Sequence, residues 1–264
     1  MKKNIIILIV ALLSINGFSQ TVSYKITKND PTDFHRLLFT SSVTLDMWGE
    51  EMAVGYDFRT RLLLTKRIII DANYYSGIKN RDSEQSDPIF KYNNLVPYGW
   101  EIVGQFGFSS NIRRKDLEVI MYENAHIDVE GKRIRDWTIR GGFMSHNSEG
   151  EISRDITMTG FAFGIGHIRW SNLQIYAQGY GKKYASAMMS YYFDIIYATS
   201  IISNDSISLP VSSNNIGYRF GLEFYTNVSR NISLMMRADY GNRPGVEDDE
   251  FNLTWATGIT ILLF

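Results

Sequence analysis

Apolar and polar side chains alternate along most of the chain after residue 20. Within 217–225, Phe220, Leu222 and Phe224 alternate with Arg219 and Glu223. The same period of two returns in segments 158–168, 185–197, 231–240 and 251–264. Successive side chains of a β-strand point to opposite faces, whereas a helix repeats every 3.6 residues. The pattern therefore predicts strands with one apolar face and one polar face.

Twelve segments follow this pattern and are predicted as strands: 35–46, 51–63, 67–77, 97–109, 116–124, 133–145, 155–168, 172–181, 185–200, 213–226, 231–241 and 251–264. Alternation is weakest in the first pair and between residues 116 and 145, so ten strands is the alternative count. Soluble strands usually have about five or six residues, whereas about 9–11 cross a bilayer, and most of these segments are of the longer kind. The predicted fold is all-β, a closed antiparallel transmembrane barrel of about 12 strands.

The first twenty residues have a different pattern. Lys2 and Lys3 precede an apolar run at 5–13, and small and polar residues follow to Gln20. This is the layout of a secretory signal peptide, and the apolar run is too short to span a bilayer as a helix. We expect a cleaved signal peptide at 1–20 and a single barrel domain at 21–264.

Composition narrows the functional classes. The chain has no cysteine, which excludes a disulfide scaffold, a cysteine nucleophile and a thiolate metal site. Its 27 Lys and Arg are mixed with 28 Asp and Glu, so the basic footprint of a nucleic-acid-binding protein is missing. Gly164-Ile165-Gly166 lacks the third glycine of a dinucleotide motif. We expect no cofactor and no nucleic-acid partner.

The last strand ends on Leu262-Leu263-Phe264. A terminal Phe that closes an amphipathic strand resembles the C-terminal signal of bacterial outer-membrane barrels, and the chain as a whole is similar to the small barrel proteins of Gram-negative bacteria. The resemblance implies an outer-membrane location, contact with outer-membrane lipid, and protein partners at the cell surface.

Such barrels have short periplasmic turns and longer outer loops. With the C-terminus placed in the periplasm, the long polar stretches near 78–96, 201–212 and 242–250 are predicted as outer loops. The same alternation assigns 125–132 and 169–171 to the outside, and 110–115 and 146–154 to the periplasm.

Four charged residues in the last predicted strands oppose the apolar face. They are Arg219, Glu223, Arg237 and Asp239, and they are predicted to line the lumen and to pair there or contact water. Aromatic residues near strand ends suit the two membrane interfaces. The predicted interface tryptophans are Trp100, Trp137, Trp170 and Trp255.

One short motif suggests catalysis. His146 and Ser148 have the His-x-Ser spacing of outer-membrane lipid A deacylases, a resemblance that implies a serine nucleophile, a histidine base and an acid such as Glu149. The family has Asn after its Ser and carries the motif near its C-terminus, and this chain departs on both points. The alternative is a polar turn.

A second motif suggests a metal. Period two places His126, Asp128 and Glu130 on one face of a strand end, and imidazole with carboxylates can bind a divalent cation. The alternative is a polar strand face that leads into a hairpin turn.

The sequence therefore predicts a non-enzymatic outer-membrane barrel that serves as a small channel or as a scaffold for a surface complex. Two alternatives remain open at this point. The first is a lipid A-modifying hydrolase that uses His146 and Ser148, and the second is a secreted soluble barrel that binds a ligand.

Overall fold

The computed structural model describes residues 22–31, 37–48, 51–78, 97–122, 125–148, 156–203, 214–229, 231–244 and 252–263. These residues form twelve strands: β1 (Tyr24–Asn29), β2 (Leu37–Trp48), β3 (Glu51–Leu63), β4 (Ile68–Gly77), β5 (Tyr98–Gly107), β6 (Asn111–Tyr122), β7 (Ala125–Ser148), β8 (Ile156–Ala177), β9 (Gly181–Ser203), β10 (Ile216–Asn227), β11 (Ile232–Asn242) and β12 (Asn252–Leu263). In this part of the chain no helix has the length and apolarity needed to cross a membrane. The all-β prediction is confirmed.

Ten strands close into an antiparallel barrel. Each of β8 to β12 pairs with the next, β12 pairs with β2, and the sheet runs on through β3, β4 and β5 to β7, which pairs with β8. We call the end that contains Leu37 and Leu263 the lower end, and the end that contains Trp48 and Asn252 the upper end. The predicted closed barrel is confirmed, and its ten strands match the smaller of the two predicted counts.

Three neighbouring strands are much longer than the rest. The strands β7, β8 and β9 have 24, 22 and 23 residues, and their lower parts continue past the lower end of the barrel. There β1 pairs with β8, with Tyr24 opposite Ala177, and β6 pairs with β7, with Asn111 opposite Arg135. The two strands outside the barrel thus belong to a second structure built on the same three strands.

The second structure is a small sandwich. The layer of β6 and lower β7 packs on the layer of β1, lower β8 and lower β9. Its core is apolar: Leu117, Val119, Met121, Val129, Leu173, Ile175 and Ala177 are buried, and Val22, Ile127 and Ala185 pack against them. Polar contacts join the layers at the edge, where the Lys132 backbone N–H donates to Asn29 Oδ1 at 2.8 Å.

The sandwich explains three errors in the predicted strand order. The predicted strands 155–168 and 172–181 are one continuous strand, β8, so no connection exists at 169–171. The predicted outer connection 125–132 is the lower half of β7. The strand β1 was not predicted. On the outer face of β8, His167, Arg169 and Ser171 interrupt the apolar residues, which is why the sequence pattern indicated a connection where the strand continues into the sandwich.

A fourth error concerns the connection predicted at 146–154 on the periplasmic side. The residues 146–148 end β7 at the upper end of the barrel, where Ser148 lies opposite Ile156. The misplacement follows from the division of β8 into two predicted strands, because one extra strand, counted back from the C-terminus, reverses the side of the connection before it. The predicted signal peptide at 1–20 and Phe264 lie outside the described residues.

Candidate functional site

A layer of ion pairs fills the middle of the lumen. Arg61 is 1% exposed and donates to Asp71 at 2.6 and 3.1 Å and to Glu223 at 2.6 Å. Arg59 also pairs with Glu223, and Gln105 donates to Asp71 at 2.6 Å. The strands β3, β4, β5 and β10 supply these groups from different sides of the barrel, so the pairs cross the lumen. Buried charges need such partners, since each would otherwise carry a large desolvation cost.

A second set of pairs continues this layer on the β7 to β10 side. Asp194 accepts from Arg140 at 2.9 Å and from Arg219 at 2.7 Å, and Arg219 also donates to Glu101 at 2.8 Å. The ring of Tyr192 lies under Arg140, whose Cζ is 3.8 Å from the ring centroid. Cation–π contact and ion pairing therefore hold the same guanidinium.

The third part of the layer contains the two remaining predicted lumen residues. Arg237 pairs with Asp239 and lies 4.0 Å from Glu223, and the Tyr192 hydroxyl donates to Asp239 at 2.6 Å. All four predicted residues thus face the lumen, and Arg219, Glu223, Arg237 and Asp239 belong to one connected network.

Several network residues were not among the predicted lumen residues, namely Arg59, Arg61, Asp71, Arg140, Asp194 and also Asp57, which lies 3.8 Å from Arg237. The signal was present, because Arg59 and Arg61 alternate with apolar residues of a predicted strand in the same way as Glu223 does. The odd or even position of a residue within a strand is sufficient to place Arg59 and Arg61 inside the barrel, although it does not reveal their partners.

Below the ion pairs an apolar layer closes the lumen. Its buried members point inward from eight strands: Leu38, Ile69, Ile134, Ile168, Trp170, Met188, Tyr225, Met235, Ala256 and Leu262. The segment after β1 also contributes, since the Trp170 Nε1–H donates to the Pro31 carbonyl at 2.7 Å. These side chains form one buried apolar cluster inside the barrel at this level.

Above the ion pairs the lumen opens into a small cavity of about 60 Å³ near the upper end. Asp46, Glu101, Asp239, Arg219, Arg237 and Arg243 are among its lining residues, so the charged groups balance. The buried Asn73 Oδ1 and Asn252 Nδ2 also line it and have no protein partner. The cavity suits a few water molecules or one small polar group.

The outer surface of the barrel has the opposite character. At mid-height, each of the ten strands exposes an apolar or aromatic side chain with 45–60% of its surface accessible: Val43, Phe58, Tyr74, Ile102, Ile139, Phe163, Ile195, Phe220, Met236 and Ile259. Among the described outward positions of the barrel, the first charges appear at the lower end, at Arg135 and Arg169. We call this uncharged surface the belt. An apolar exterior around a charged interior is the polarity of a membrane barrel and the reverse of a soluble ligand-binding barrel.

The predicted interface tryptophans divide into two groups. Trp100, Trp137 and Trp255 face outward and are 40–45% exposed, with Trp137 near the lower end of the belt. Trp170 faces inward and is 4% exposed, so its assignment to the interface was wrong. It occupies an even position of β8, the face that forms the apolar layer.

His146 lies inside the barrel at the upper end, with 3% of its surface exposed. Its ring contacts the Tyr75 hydroxyl and the Arg243 guanidinium. The side chain of Ser148 and all of Glu149 lie outside the described part. A hydrolase acting on membrane lipid needs a base that reaches the outer surface, so the inward position of His146 does not favour the lipid A hydrolase.

The residues of the predicted metal motif lie on the solvent face of the sandwich. His126 Nδ1 is 3.5 Å from Glu118 and Glu130 is 3.3 Å from Arg114, while Asp128 lies opposite Glu118. Among the described residues, no three His, Cys, Asp or Glu side chains are arranged to hold a metal ion. The structure therefore places this motif on the exposed surface, with Glu130 in an ion pair with Arg114 and His126 beside Glu118.

No protein-family profile matches the sequence, and no curated protein matches it either. Solved structures with a similar shape include the attachment invasion locus protein Ail of Yersinia pestis, with 9% identity, a TM-score of 0.24, and coverage of 85% of this chain and 95% of that one. The CymD monoaromatic hydrocarbon channel gives 6% identity, a TM-score of 0.29, and coverage of 87% and 89%. An anion-selective porin from Comamonas acidovorans gives 8%, 0.21, and coverage of 90% and 99%.

Proposed function

We propose that this chain is an integral barrel of a bacterial outer membrane, non-enzymatic and non-conducting, that serves as a scaffold. The membrane holds the belt, and the sandwich projects from the lower end into the periplasm. The observation that carries the proposal is the filled lumen. The apolar layer that contains Trp170 and the ion-pair layer around Glu223 obstruct the barrel at two successive levels.

A scaffold also explains the unequal strand lengths. A channel needs only enough strand to cross the bilayer, about 9–11 residues, whereas β7, β8 and β9 have more than twenty. The added length builds the sandwich. A rigid wall that carries a folded module to one side of a membrane suits a protein that positions a partner.

Membrane insertion and conduction can be tested on the same preparation. The protein is extracted with detergent, shown to shift on electrophoresis after boiling, and added to planar bilayers beside a larger porin as the positive control. We expect a heat-dependent shift and no steady conductance. Extraction by buffer alone would contradict the membrane location, and a stable open channel would contradict the filled lumen.

The orientation can be tested with single cysteines, because the native chain has none. Lys182→Cys places a thiol on the exposed surface of the sandwich, and Ser200→Cys places one at the exposed upper end. In intact cells an impermeant maleimide should label Ser200→Cys at once and Lys182→Cys only after the outer membrane is opened. The reverse order would place the sandwich outside the cell.

A further inference from the structure

Four arginines share one face at the junction of the barrel and the sandwich. Arg135 of β7 lies directly opposite Arg169 of β8, and Arg113 of β6 lies directly opposite Arg133 of β7. Like charges that face each other across two strands destabilise a sheet. Two adjacent arginine pairs of this kind indicate that an anion compensates them when the protein is in its native surroundings.

The protein itself supplies little compensation. No carboxylate forms an ion pair with any of the four among the described residues, although arginines of the lumen each have at least one. The Nε atoms of Arg135 and Arg169 are buried and lack hydrogen-bond acceptors. Burial and the positive charges of Arg135 and Arg169 lower the pKa of the Arg133 guanidinium. The cluster is therefore a group of arginines that have no carboxylate partner among the described residues and whose two buried Nε–H groups lack an acceptor.

The position of the cluster along the barrel identifies the source of the anion. On β8 the outward residues run from Phe163 and Ile165 in the belt to His167 and then Arg169. Alternate residues of a strand are about 6.6–6.8 Å apart along it, so Arg169, two such steps beyond Ile165, lies about 13 Å along the strand from this belt residue. In a membrane this is the level of the lipid headgroups.

Three aromatic rings, those of Trp137, His167 and Tyr191, lie next to the arginines. The His167 ring stacks on Tyr191 with centroids 4.8 Å apart and meets the edge of Trp137 at 4.9 Å. Arg169 donates to the Tyr191 hydroxyl at 3.3 Å and lies over its ring. Aromatic rings with polar edges prefer the membrane interface, where they contact acyl chains and headgroups together. Apolar rings beside guanidinium groups that lack a carboxylate partner suit an amphipathic anion.

We propose that Arg113, Arg133, Arg135 and Arg169 bind the phosphodiester headgroup of a phospholipid in the leaflet on the sandwich side. Guanidinium groups bind phosphate oxygens through paired hydrogen bonds, and Trp137 and Tyr191 contact the adjoining acyl chains. The inference rests on the proposed membrane location, and it makes the scaffold one that selects lipid at its periplasmic rim.

The test uses the full-length protein refolded in a non-ionic detergent. Three probes are added separately: a short-chain phosphatidylglycerol, a diacylglycerol with the same chains, and inorganic phosphate. The readout is the temperature at which the folded, faster-migrating band is lost on gels. We expect phosphatidylglycerol to raise this temperature in a saturable way and the other two probes to leave it unchanged. An equal rise with inorganic phosphate would indicate a free-anion site, an equal rise with diacylglycerol would indicate binding through the chains alone, and either would overturn the proposal.

The decisive variant is Arg135→Gln with Arg169→Gln. Two basic contacts near a headgroup should weaken apparent lipid affinity at least about tenfold when they are lost. The matched control is Arg114→Gln with Lys132→Gln, which removes the same charge from a pair on the opposite face of β6 and β7. We expect the control to bind phosphatidylglycerol with an apparent affinity within about twofold of that of the unmodified protein. Equal loss in both variants would indicate a general charge effect.

The lipid-free protein separates the proposal from a structural role for the arginines. Under the proposal, removing mutually repelling charges should leave the heat-shift temperature of the Arg135→Gln, Arg169→Gln variant unchanged or higher. A structural role predicts a lower temperature without lipid, and that result would assign the cluster to the fold. Loss of the heat-dependent shift in the unmodified protein would contradict the membrane location instead, so the two failures are distinguishable.

Discussion

The barrel and the sandwich use the same strands and the same strand faces in opposite surroundings. On β8, Ile165 is 54% exposed on the belt, whereas Ile175, ten positions along on the same face, is fully buried in the sandwich core. On β7, Ile139 and Val129 show the same contrast. An apolar strand face therefore needs an apolar neighbour, and lipid and protein satisfy that need equally well.

The two regions differ most in where their charges lie. In the barrel Arg61 and Glu223 are almost completely buried and bonded to each other, whereas in the sandwich Glu118 and Arg114 are exposed and more loosely paired. Four substitutions, each compared with a second substitution in the other region, measure the differences between the barrel and the sandwich.

The largest effect is expected for Glu223→Gln. This carboxylate pairs with Arg59 and Arg61 and lies near Arg237, so its loss leaves buried guanidinium groups without a full counter-charge. Because breaking a buried pair costs about 3–5 kcal/mol, we expect the free energy of unfolding to fall by this amount when the protein is unfolded by urea in lipid vesicles. Glu118→Gln, with its side chain 63% exposed, is the control and should change stability by less than about 0.5 kcal/mol. Similar costs for both would show that the lumen network is hydrated and weak.

The next effect separates protein core from lipid. Ile175→Ala leaves a cavity in the sandwich and should cost about 2–5 kcal/mol, seen as faster proteolysis of the lower strands. Ile165→Ala should cost less, because lipid chains fill the space beside the shorter side chain. A larger cost for Ile165→Ala would show that the belt packs against protein.

A charge on the belt tests the same contrast from the other direction. Ile195 on the belt and Ile112 on the sandwich are 51% and 52% exposed. Ile195→Arg should cost about 2–4 kcal/mol in vesicles, since mid-height of the belt is the hydrocarbon centre. Ile112→Arg should be nearly neutral because that side chain meets water. Equal, small effects would place the belt in water.

The smallest effect concerns the turn between β8 and β9, where Gly179 has a φ of 83°. Gly179→Ala should cost about 1–2 kcal/mol, because a Cβ is unfavourable in this region of φ. The loss should appear as faster hydrogen exchange in the sandwich only. Gly104→Ala on the belt is the control, since its added Cβ would meet only one backbone oxygen at 3.7 Å. Faster exchange throughout the barrel would contradict a local effect.

Alternation predicted most of the fold because it reflects a local property of strands. The predicted bounds of β3 agree with the structure at both ends, and those of β4 and β11 agree within one residue. The division between barrel and sandwich was not predictable in this way. Leu173 and Phe163 satisfy the same period of two, and the sequence pattern does not distinguish a lipid neighbour from a protein neighbour.

The site shows the same limit. Parity predicted that Glu223 and Arg237 face inward, yet their partners depend on how far the strands are staggered around the closed barrel. Arg61 and Glu223 are 162 positions apart in sequence, and only the closed sheet brings them together. The four rim arginines were missed because two of them lie in segments that were predicted as connections.

The strands β7, β8 and β9 connect the sandwich and the barrel mechanically. Each runs unbroken from the sandwich to the upper part of the barrel, so a force on the sandwich is not absorbed by a hinge within these strands. The force passes along the backbone, and the ladder of hydrogen bonds between neighbouring strands resists it in shear. A force applied to the sandwich would therefore load the barrel wall directly, and the wall would transmit that load to the membrane around it.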